Sequence, residues 1–160
     1  DHPDLEMHWQ NVPLEPWLKQ NLEKYRQGEI EIESRREDDL DTATMDPRLM
    51  ALALSNLVSN ARRYACSRVS VSIGHRNDDF VLRVDDDGSG VPDAERDTVF
   101  KAFTRVDDSR NRETGGYGLG LAVVARIVAL HGGSARVDRS QDLGGASFVL
   151  RWPAVKPGSV

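Results

Sequence analysis

Cysteine, long apolar runs and positive charge are what this sequence has least of. Its single cysteine, Cys66, excludes an internal disulfide and is compatible with a reducing compartment. No apolar run approaches the roughly 20 residues needed to span a bilayer, and no signal peptide opens the chain. We therefore expect a soluble domain with no direct membrane contact, which leaves open that it is cut from a membrane protein.

The charge balance argues against nucleic acid as a partner. The net charge is -5, and basic residues are interleaved with acidic ones, as in residues 33–39. Binding to a phosphate backbone needs clustered positive charge, which this distribution does not supply. The 160 residues fit one domain with a real core.

The spacing of apolar residues divides the chain into an irregular end (residues 1–12), a folded domain (13–153) and a disordered tail (154–160). Helical spacing predicts helices over 13–26, 47–65, 92–103 and 119–131. Alternation predicts strands over 29–33, 69–73, 80–84, 135–137 and 146–152, with a hairpin turn at 75–79. This mixture predicts a two-layer α+β sandwich with helices covering one face of the sheet.

The helix predicted from Pro47 carries a stripe of polar residues. Asn56, Asn60, Arg63 and Tyr64 follow one another at i, i+4, i+7 and i+8, so they share one face. Asparagine lowers helix stability, and an amide oxygen is a ligand suited to Mg²⁺ that already holds phosphate oxygens. The alternative is a pair of polar surface asparagines.

A carboxylate and two glycines follow the second strand of the predicted hairpin. Asp86 ends an apolar strand, and Gly88 and Gly90 come directly after it. The glycines allow a ligand to approach the backbone closely, and the carboxylate can accept the exocyclic amine of adenine. An ordinary turn aspartate is the alternative. A metal cluster of residues 85–87 is disfavoured, because neighbours on a strand point to opposite faces.

A third glycine-rich segment precedes the last predicted helix. Gly116, Gly118, Leu119 and Gly120 lie where free backbone N–H groups and the positive helix end favour an anion. The spacing is neither the dinucleotide fingerprint nor the P-loop. The polar stretch 104–116 before it is long for a connector, which is typical of a lid, and it carries Arg105.

In this order, the segments resemble the ATP-binding catalytic domain of bacterial sensor histidine kinases. The wider superfamily includes gyrase, mismatch-repair ATPases and a heat-shock chaperone. Residues 56–64 resemble its N box, 86–90 its first glycine box, 100–103 its F box and 116–121 its second glycine box. The resemblance implies a mixed sheet in the sandwich and an ATP lid between the F-box helix and the second glycine box. It also implies that residues 1–12 are left from a preceding helical domain.

The resemblance implies ATP and Mg²⁺ as cofactors and a role for each matching position. Asn60 would coordinate Mg²⁺ with Asn56 assisting, and Arg105 would reach the γ-phosphate from the lid, which makes Asn60 and Arg105 the catalytic pair. The remaining cofactor-binding positions would contact adenine or phosphate: Arg63, Tyr64, Asp86, Gly88, Gly90, Gly116, Gly118, Leu119 and Gly120.

Position 56 separates two branches of the resembled superfamily. The hydrolases carry a glutamate four residues before the Mg²⁺ asparagine, where it activates water, and this chain has Asn56. That favours phosphoryl transfer, which needs positioning and charge neutralisation more than covalent help. The resemblance implies an acceptor histidine on a separate dimerisation domain of the same parent protein, with a response regulator downstream. None of the four histidines of this chain has the acceptor context. The chain would then be the cytoplasmic part of an inner-membrane sensor.

Three rival functions remain open. One is a stand-alone ATPase of the same fold, which Asn56 disfavours. Another is a serine kinase that inhibits a sigma factor, and the third is a regulatory interaction module with a degenerate site. Nucleotide binding, steady-state phosphate release and the identity of the phosphorylated residue distinguish them.

Overall fold

The computed structural model describes residues 6–100 and 118–154. These segments contain seven strands and four helices, with two short 3-10 turns at Glu23–Gln27 and Glu37–Asp39. The helices are α1 (Leu14–Leu22), α2 (Pro47–Tyr64), α3 (Asp93–Arg96) and α4 (Gly118–Leu130). The strands are β1 (Gln10–Pro13), β2 (Glu31–Arg36), β3 (Thr42–Met45), β4 (Arg68–Arg76), β5 (Asp79–Asp86), β6 (Ser134–Arg139) and β7 (Ala146–Pro153).

Five strands form a mixed sheet in the order β2-β4-β5-β7-β6. Strands β2 and β4 are parallel, and the other neighbours are antiparallel. The predicted hairpin is β4–β5, with Val71 opposite Val84. Its link is only two residues long, and Asn77 takes the left-handed conformation there with φ of 56°. Asparagine tolerates that region, so this tight turn is compatible with its sequence.

The helices lie on one face of the sheet, as predicted. Val69, Val71 and Ile73 of β4 are fully buried beneath them, while the alternate residues Ser70 and Ser72 belong to the opposite face. Helices α2 and α4 pack against each other and against the sheet. The core therefore lies between this helical layer and the sheet, which confirms the α+β sandwich.

The sequence analysis did not predict the short strands β1 and β3, and β1 corrects a predicted boundary. Residues Gln10–Pro13 form β1, which pairs antiparallel with β3, and Val12 of β1 is buried. Regular structure therefore begins three residues before Pro13, the predicted start of the folded domain. Two other predicted elements also shift: α1 ends at Leu22 instead of residue 26, and β2 runs over Glu31–Arg36 instead of residues 29–33.

Several predicted features lie outside the described residues. They are the lid at 104–116, residues 101–103 of the helix predicted over 92–103, and residues 155–160 of the tail predicted over 154–160. In the described part of that helix the prediction is wrong beyond Arg96, because α3 spans only Asp93–Arg96 and residues 97–100 form turns. Within the described residues, no helix combines the length and apolar character needed to cross a membrane.

Candidate functional site

Helix α2 fixes the direction in which the two predicted asparagines point. Its N-cap, Asp46, accepts hydrogen bonds from the backbone N–H groups of Arg48 (3.1 Å) and Leu49 (3.2 Å), and Pro47 occupies the first turn. One face of the helix is buried in the core, so the polar stripe is left beside it. Asn60 and Tyr64 from this stripe line a crevice against the sheet.

Asn60, which lines that crevice, has an unmet polar group. Its Nδ2 is buried and has no hydrogen-bond partner within the described part of the chain. A buried amide without a partner costs free energy, about 1–3 kcal/mol in proteins generally. A polar ligand in the crevice would remove that cost, so the side chain fits a binding role better than a purely structural one.

Asn56 lies one turn earlier on α2, against the start of α4. Its Nδ2 donates to the carbonyl of Leu52 (3.0 Å). Its Oδ1 lies 3.1 Å from the position that a Cβ on Gly120 would occupy. The first turn of α4 therefore meets the asparagine stripe, and the absence of a side chain at Gly120 leaves this contact room.

Asp86 lies at the end of β5 and is buried, with 1% of its surface exposed. Its Oδ1 accepts hydrogen bonds from the backbone N–H groups of Gly88 (2.9 Å) and Ala146 (3.2 Å). Among the described residues, nothing donates to Oδ2. Burial raises the pKa of this carboxyl, and the neighbouring charges of Asp87 and Asp85 act in the same direction. One oxygen is thus held by the backbone while the other is available to a donor.

Close backbone contacts shape the wall around Asp86. A Cβ on Gly88 would lie 2.2 Å from the carbonyl oxygen of Tyr64, and one on Gly145 would lie 2.3 Å from Asp86 Oδ1. Gly90 has φ of 85°, a conformation that L side chains rarely adopt. Glycine is thus required at these positions, and the first glycine box predicts two of the three.

The crevice brings together residues from α2, β5, the loop after it and β7. It is lined by Asn60, Tyr64, Asp86, Gly90, Val91, Ala146 and Phe148. Sequence reasoning missed the last three and Gly145. The only sequence signal for them is the pair Gly144-Gly145 before an alternating strand, which reads as an ordinary turn.

The other predicted site residues stand apart from the crevice or outside the description. Arg63 is exposed near the end of α2 and does not line the crevice. Gly118 begins α4, and Leu119 belongs to its first turn, with its side chain outside the described part. Gly116 and Arg105 lie outside the described residues.

The donor set fits Mg²⁺ only if the ion arrives with other oxygen ligands. Within the described residues, no three His, Cys, Asp or Glu side chains converge to hold a metal. Asn56 and Asn60 offer neutral amides instead. Mg²⁺ is commonly held by a few protein oxygens together with substrate phosphates and water, and an amide set suits that mode.

Comparison with known proteins agrees with this architecture. The family model described as histidine kinase-, DNA gyrase B- and HSP90-like ATPase matches residues 45–156. Sensor protein RstB of Escherichia coli K12 is 38% identical over 157 residues, covering 96% of this chain and 36% of RstB. Sensor histidine kinase CpxA of the same strain is 39% identical over 111 residues, covering 69% of this chain and 24% of CpxA.

Two solved structures share the fold. The ATP-binding domain of PrrB from Mycobacterium tuberculosis matches with a TM-score of 0.72 and 28% identity, covering 92% of this chain and 98% of that one. Full-length ShkA in complex with AMPPNP matches with a TM-score of 0.78 and 28% identity, covering 97% of this chain and 33% of that one. The chain thus spans about a third or less of the sensor proteins that it matches, and nearly all of an isolated ATP-binding domain.

The family match covers α2 with its asparagine stripe, the Asp86 turn and the start of α4, which are the elements that build the crevice. The chain therefore belongs to the histidine kinase-, DNA gyrase B- and HSP90-like ATPase family, as a catalytic domain of the sensor histidine kinase type.

Proposed function

We propose that this domain binds Mg·ATP in the crevice and donates the γ-phosphoryl group to a histidine on a separate phosphoacceptor and dimerisation domain of the same parent protein. The observation that carries the proposal is that two residues lining one crevice each have an unmet polar group. These groups are the free Oδ2 of buried Asp86 and the unpartnered Nδ2 of Asn60.

The Asp86 end suits adenine. A carboxylate oxygen that is buried and still lacks a donor is a strong acceptor for an exocyclic amine, and guanine presents a carbonyl at the equivalent position. Tyr64, Val91 and Phe148 line the same crevice and provide surface for a flat ring. Asp86 would thus select adenine over guanine.

The Asn60 end suits phosphate and Mg²⁺. Asn60 and Asn56 lie on successive turns of α2, and Asn56 faces Gly120 in the first turn of α4. Free N–H groups at the start of α4 attract anions, and Gly118 and Gly120 let phosphate oxygens come close. When bound, Mg²⁺ would supply charge neutralisation of the phosphates. The family implies further contacts at the phosphate end of the site, and we assign them to Arg105, Arg63, Gly116 and Leu119.

The residues favour transfer to a protein acceptor over hydrolysis. Asn56 occupies the position of the water-activating glutamate in hydrolase relatives, and an amide cannot accept a proton from water at neutral pH. Phosphoryl transfer needs little covalent chemistry from the donor domain, so a positioning site is sufficient.

His131 is not a suitable acceptor for the phosphoryl group. His131 is fully buried, and both of its ring nitrogens are used in hydrogen bonds. We propose that the acceptor lies on a preceding helical domain, that a response regulator acts downstream, and that this domain is the cytoplasmic part of an inner-membrane sensor. The relatives are longer proteins, in agreement with that arrangement.

Calorimetric titration with ATP, GTP and adenosine, with Mg²⁺ or with chelator, tests the binding half. We expect ATP to bind in preference to GTP and Mg²⁺ to strengthen ATP but not adenosine. Asn60→Ala should abolish the Mg²⁺ effect and leave adenosine binding in place. Absence of binding by any of these ligands would reject the proposal in favour of an interaction module.

Transfer is tested by adding a separately produced phosphoacceptor domain of the parent protein with γ-labelled ATP. Label stable to alkali and labile to acid identifies phosphohistidine, which is the expected product. Rapid release of phosphate without labelled protein would select the ATPase alternative, and acid-stable label on serine would select a serine kinase.

A further inference from the structure

Asp86 stands between two other aspartates whose side chains both accept hydrogen bonds from neighbouring segments. Asp87 Oδ1 accepts from the backbone N–H groups of Cys66 (2.8 Å), Ser67 (3.0 Å) and Arg68 (3.1 Å). Its Oδ2 accepts from the hydroxyl of Ser67 (2.8 Å). Burial of Asp87 acts to raise its pKa, but the bonds from Ser67, Arg68 and Cys66 outweigh it and hold the pKa at about 2. The carboxylate is therefore ionised and committed to these three residues.

The segment held by Asp87 joins α2 to β4 and touches the glycine turn. Helix α2 ends at Tyr64, and β4 begins at Arg68. The carbonyl of Arg68 accepts from the N–H of Asp87 (3.3 Å), and the carbonyl of Tyr64 lies where a Cβ on Gly88 would be. The position of Tyr64 in the crevice is thus tied to the turn by contacts that converge on Asp87.

Asp85 makes a matching connection on the opposite face of the sheet. Its carboxylate accepts from the hydroxyls of Ser147 (2.7 Å) and Ser140 (2.9 Å). The N–H of Ser140 donates to the carbonyl of Gly145 (2.7 Å), and the N–H of Gly145 donates to the carbonyl of Asp86 (3.1 Å). The loop between β6 and β7 is therefore held by the Asp85 carboxylate on the opposite face of the sheet, and it hydrogen-bonds to the backbone of Asp86.

We propose that Asp85 and Asp87 are positioning residues, which hold the two segments packed against Asp86 so that the adenine end of the crevice is formed before ligand arrives. This inference rests on the proposed nucleotide site. A preformed site binds more tightly, because ordering its loops costs nothing at the moment of binding. Neither residue needs to touch the nucleotide.

The sharpest test compares Asp87→Ala with Asp87→Asn. Alanine removes every side-chain bond to the 66–68 segment, whereas asparagine keeps an oxygen for the three backbone donors and an amide that can donate to the Ser67 hydroxyl oxygen. We expect Asp87→Ala to weaken adenosine and ATP by the same factor, roughly tenfold. Asp87→Asn should stay within about twofold of the wild type.

Amide hydrogen exchange provides the readout that a general loss of stability would not reproduce. Exchange at residues 66–68 should accelerate in Asp87→Ala and return to wild-type protection in Asp87→Asn. In Asp85→Ala the acceleration should fall at residues 140–145 instead. Asp79→Ala is the matched control, since it removes the contact to Arg151 at the other end of the same strand and should leave adenosine affinity unchanged.

Several outcomes would overturn the positioning role. They are full adenosine affinity in Asp87→Ala, failure of asparagine to restore it, or equal loss in the Asp79→Ala control. If Asp87→Ala does not fold, Ser67→Ala removes one hydroxyl donor and should still weaken adenosine, by roughly twofold; an unchanged affinity would count against the proposal. Absence of binding by the wild type would instead reject the nucleotide site itself.

Discussion

The two ends of α2 each face a buried aspartate, and the two aspartates are in opposite states. Asp46 and Asp86 are 0% and 1% exposed. Asp46 Oδ1 accepts from Arg48 and Leu49, and its Oδ2 accepts from the N–H of His8 (2.9 Å). Asp86 has donors on Oδ1 alone among the described residues. Both oxygens of the Asp46 carboxylate therefore accept hydrogen bonds, whereas only one oxygen of the Asp86 carboxylate does so within the described residues.

The neighbours of the two aspartates repeat this difference. Beside Asp46, the Nδ1 of His131 donates to the carbonyl of Ile127 (2.8 Å) and its Nε2 accepts from the N–H of Asp46 (3.1 Å). Beside Asp86, the Nδ2 of Asn60 is buried without a partner. Buried polar groups normally have hydrogen-bond partners. We call the end of α2 at Asp46 the closed end and the end at Asp86 the open end. The closed end therefore serves the fold, while the open end is prepared for a ligand.

Removing Asp46 should produce the largest effect, and it should fall on stability. Asp46→Ala loses the N-cap and leaves the part-buried donors of Leu49 and the N-terminal segment unpaired, at a cost of about 2–4 kcal/mol in unfolding free energy. Adenosine affinity of the remaining folded protein should stay unchanged. Urea unfolding and calorimetry measure the two quantities.

An altered adenosine affinity in folded Asp46→Ala would contradict the comparison, because the Asp46 end of α2 would then affect ligand binding as well as stability. Arg48→Ala is the control. Its guanidinium lies 3.9 Å from Asp46 Oδ2 and its side chain is 70% exposed, so its loss should have little effect on stability.

Replacing Asp86 should move affinity and leave the fold intact. Asp86→Asn keeps an oxygen for Gly88 and Ala146 but presents an amide to the adenine amine. Loss of a charge-assisted hydrogen bond costs roughly 1.5–3 kcal/mol, so ATP should bind at least tenfold more weakly. Titration calorimetry with ATP and adenosine should show the same loss for both ligands.

Stability at neutral pH should not fall in Asp86→Asn. The folded-state pKa of Asp86 is raised above the ordinary 3.8, so the ionised carboxyl destabilises the fold at pH values above its folded pKa. This cost disappears as pH falls below 3.8. The variant should therefore match or exceed the wild-type melting temperature at pH 7, with the gap closing in acid. A lower melting temperature at pH 7, with ATP affinity intact, would assign Asp86 to the fold.

The sequence predicted the long elements because their signals are local. Helix α2 has Asp46-Pro47 at its start and a regular apolar face, and the β4–β5 hairpin alternates on both strands. The pair β1–β3 joins segments about 30 residues apart through strands of four residues each, which are too short for alternation to be visible. Pairing between distant segments decides their structure.

The candidate site was predictable only in part, for a related reason. Asn60 and Asp86 come with a helical stripe and a glycine turn that the sequence displays. Gly145 and Ala146 contribute through backbone contacts to Asp86 that depend on how β7 is placed beside β5. No local pattern records that placement. Likewise, the unpartnered state of Asn60 Nδ2 depends on what surrounds it in three dimensions.

Gly120→Ala should sharpen the contrast within the open end. The new Cβ would lie 3.1 Å from Asn56 Oδ1, so the amide must shift by a few tenths of an ångström. ATP affinity should fall roughly threefold while adenosine affinity stays constant. Alanine in a helical turn favours the helix by up to about 1 kcal/mol, so stability should not decrease. A double-mutant cycle with Asn56→Ala should show non-additive loss; additive losses would mean that Gly120 acts independently of Asn56.

The smallest expected effect is a pH dependence that comes from the closed end. Burial lowers the pKa of His131 below the ordinary 6.5, with the bond to Ile127 and the Asp46 carboxylate acting in the opposite direction. The unfolded chain therefore takes up the proton first, and unfolding free energy falls as pH drops from 6.5 toward the folded pKa. A proton on Nε2 would also set two donors, that nitrogen and the N–H of Asp46, against each other.

The His131 contribution is measured as the difference between wild type and His131→Gln. Chemical unfolding between pH 7 and 5 should show a decline in wild-type stability relative to the variant. Taking the difference removes the background from Asp86, whose raised pKa acts in the opposite direction. His75→Gln is the control, because His75 is exposed and should leave the wild-type slope in place. If unfolding free energy declines with falling pH in His131→Gln as it does in the wild type, protonation of His131 is not the cause of that decline. The polar groups around His131 would then tolerate a second proton on its ring.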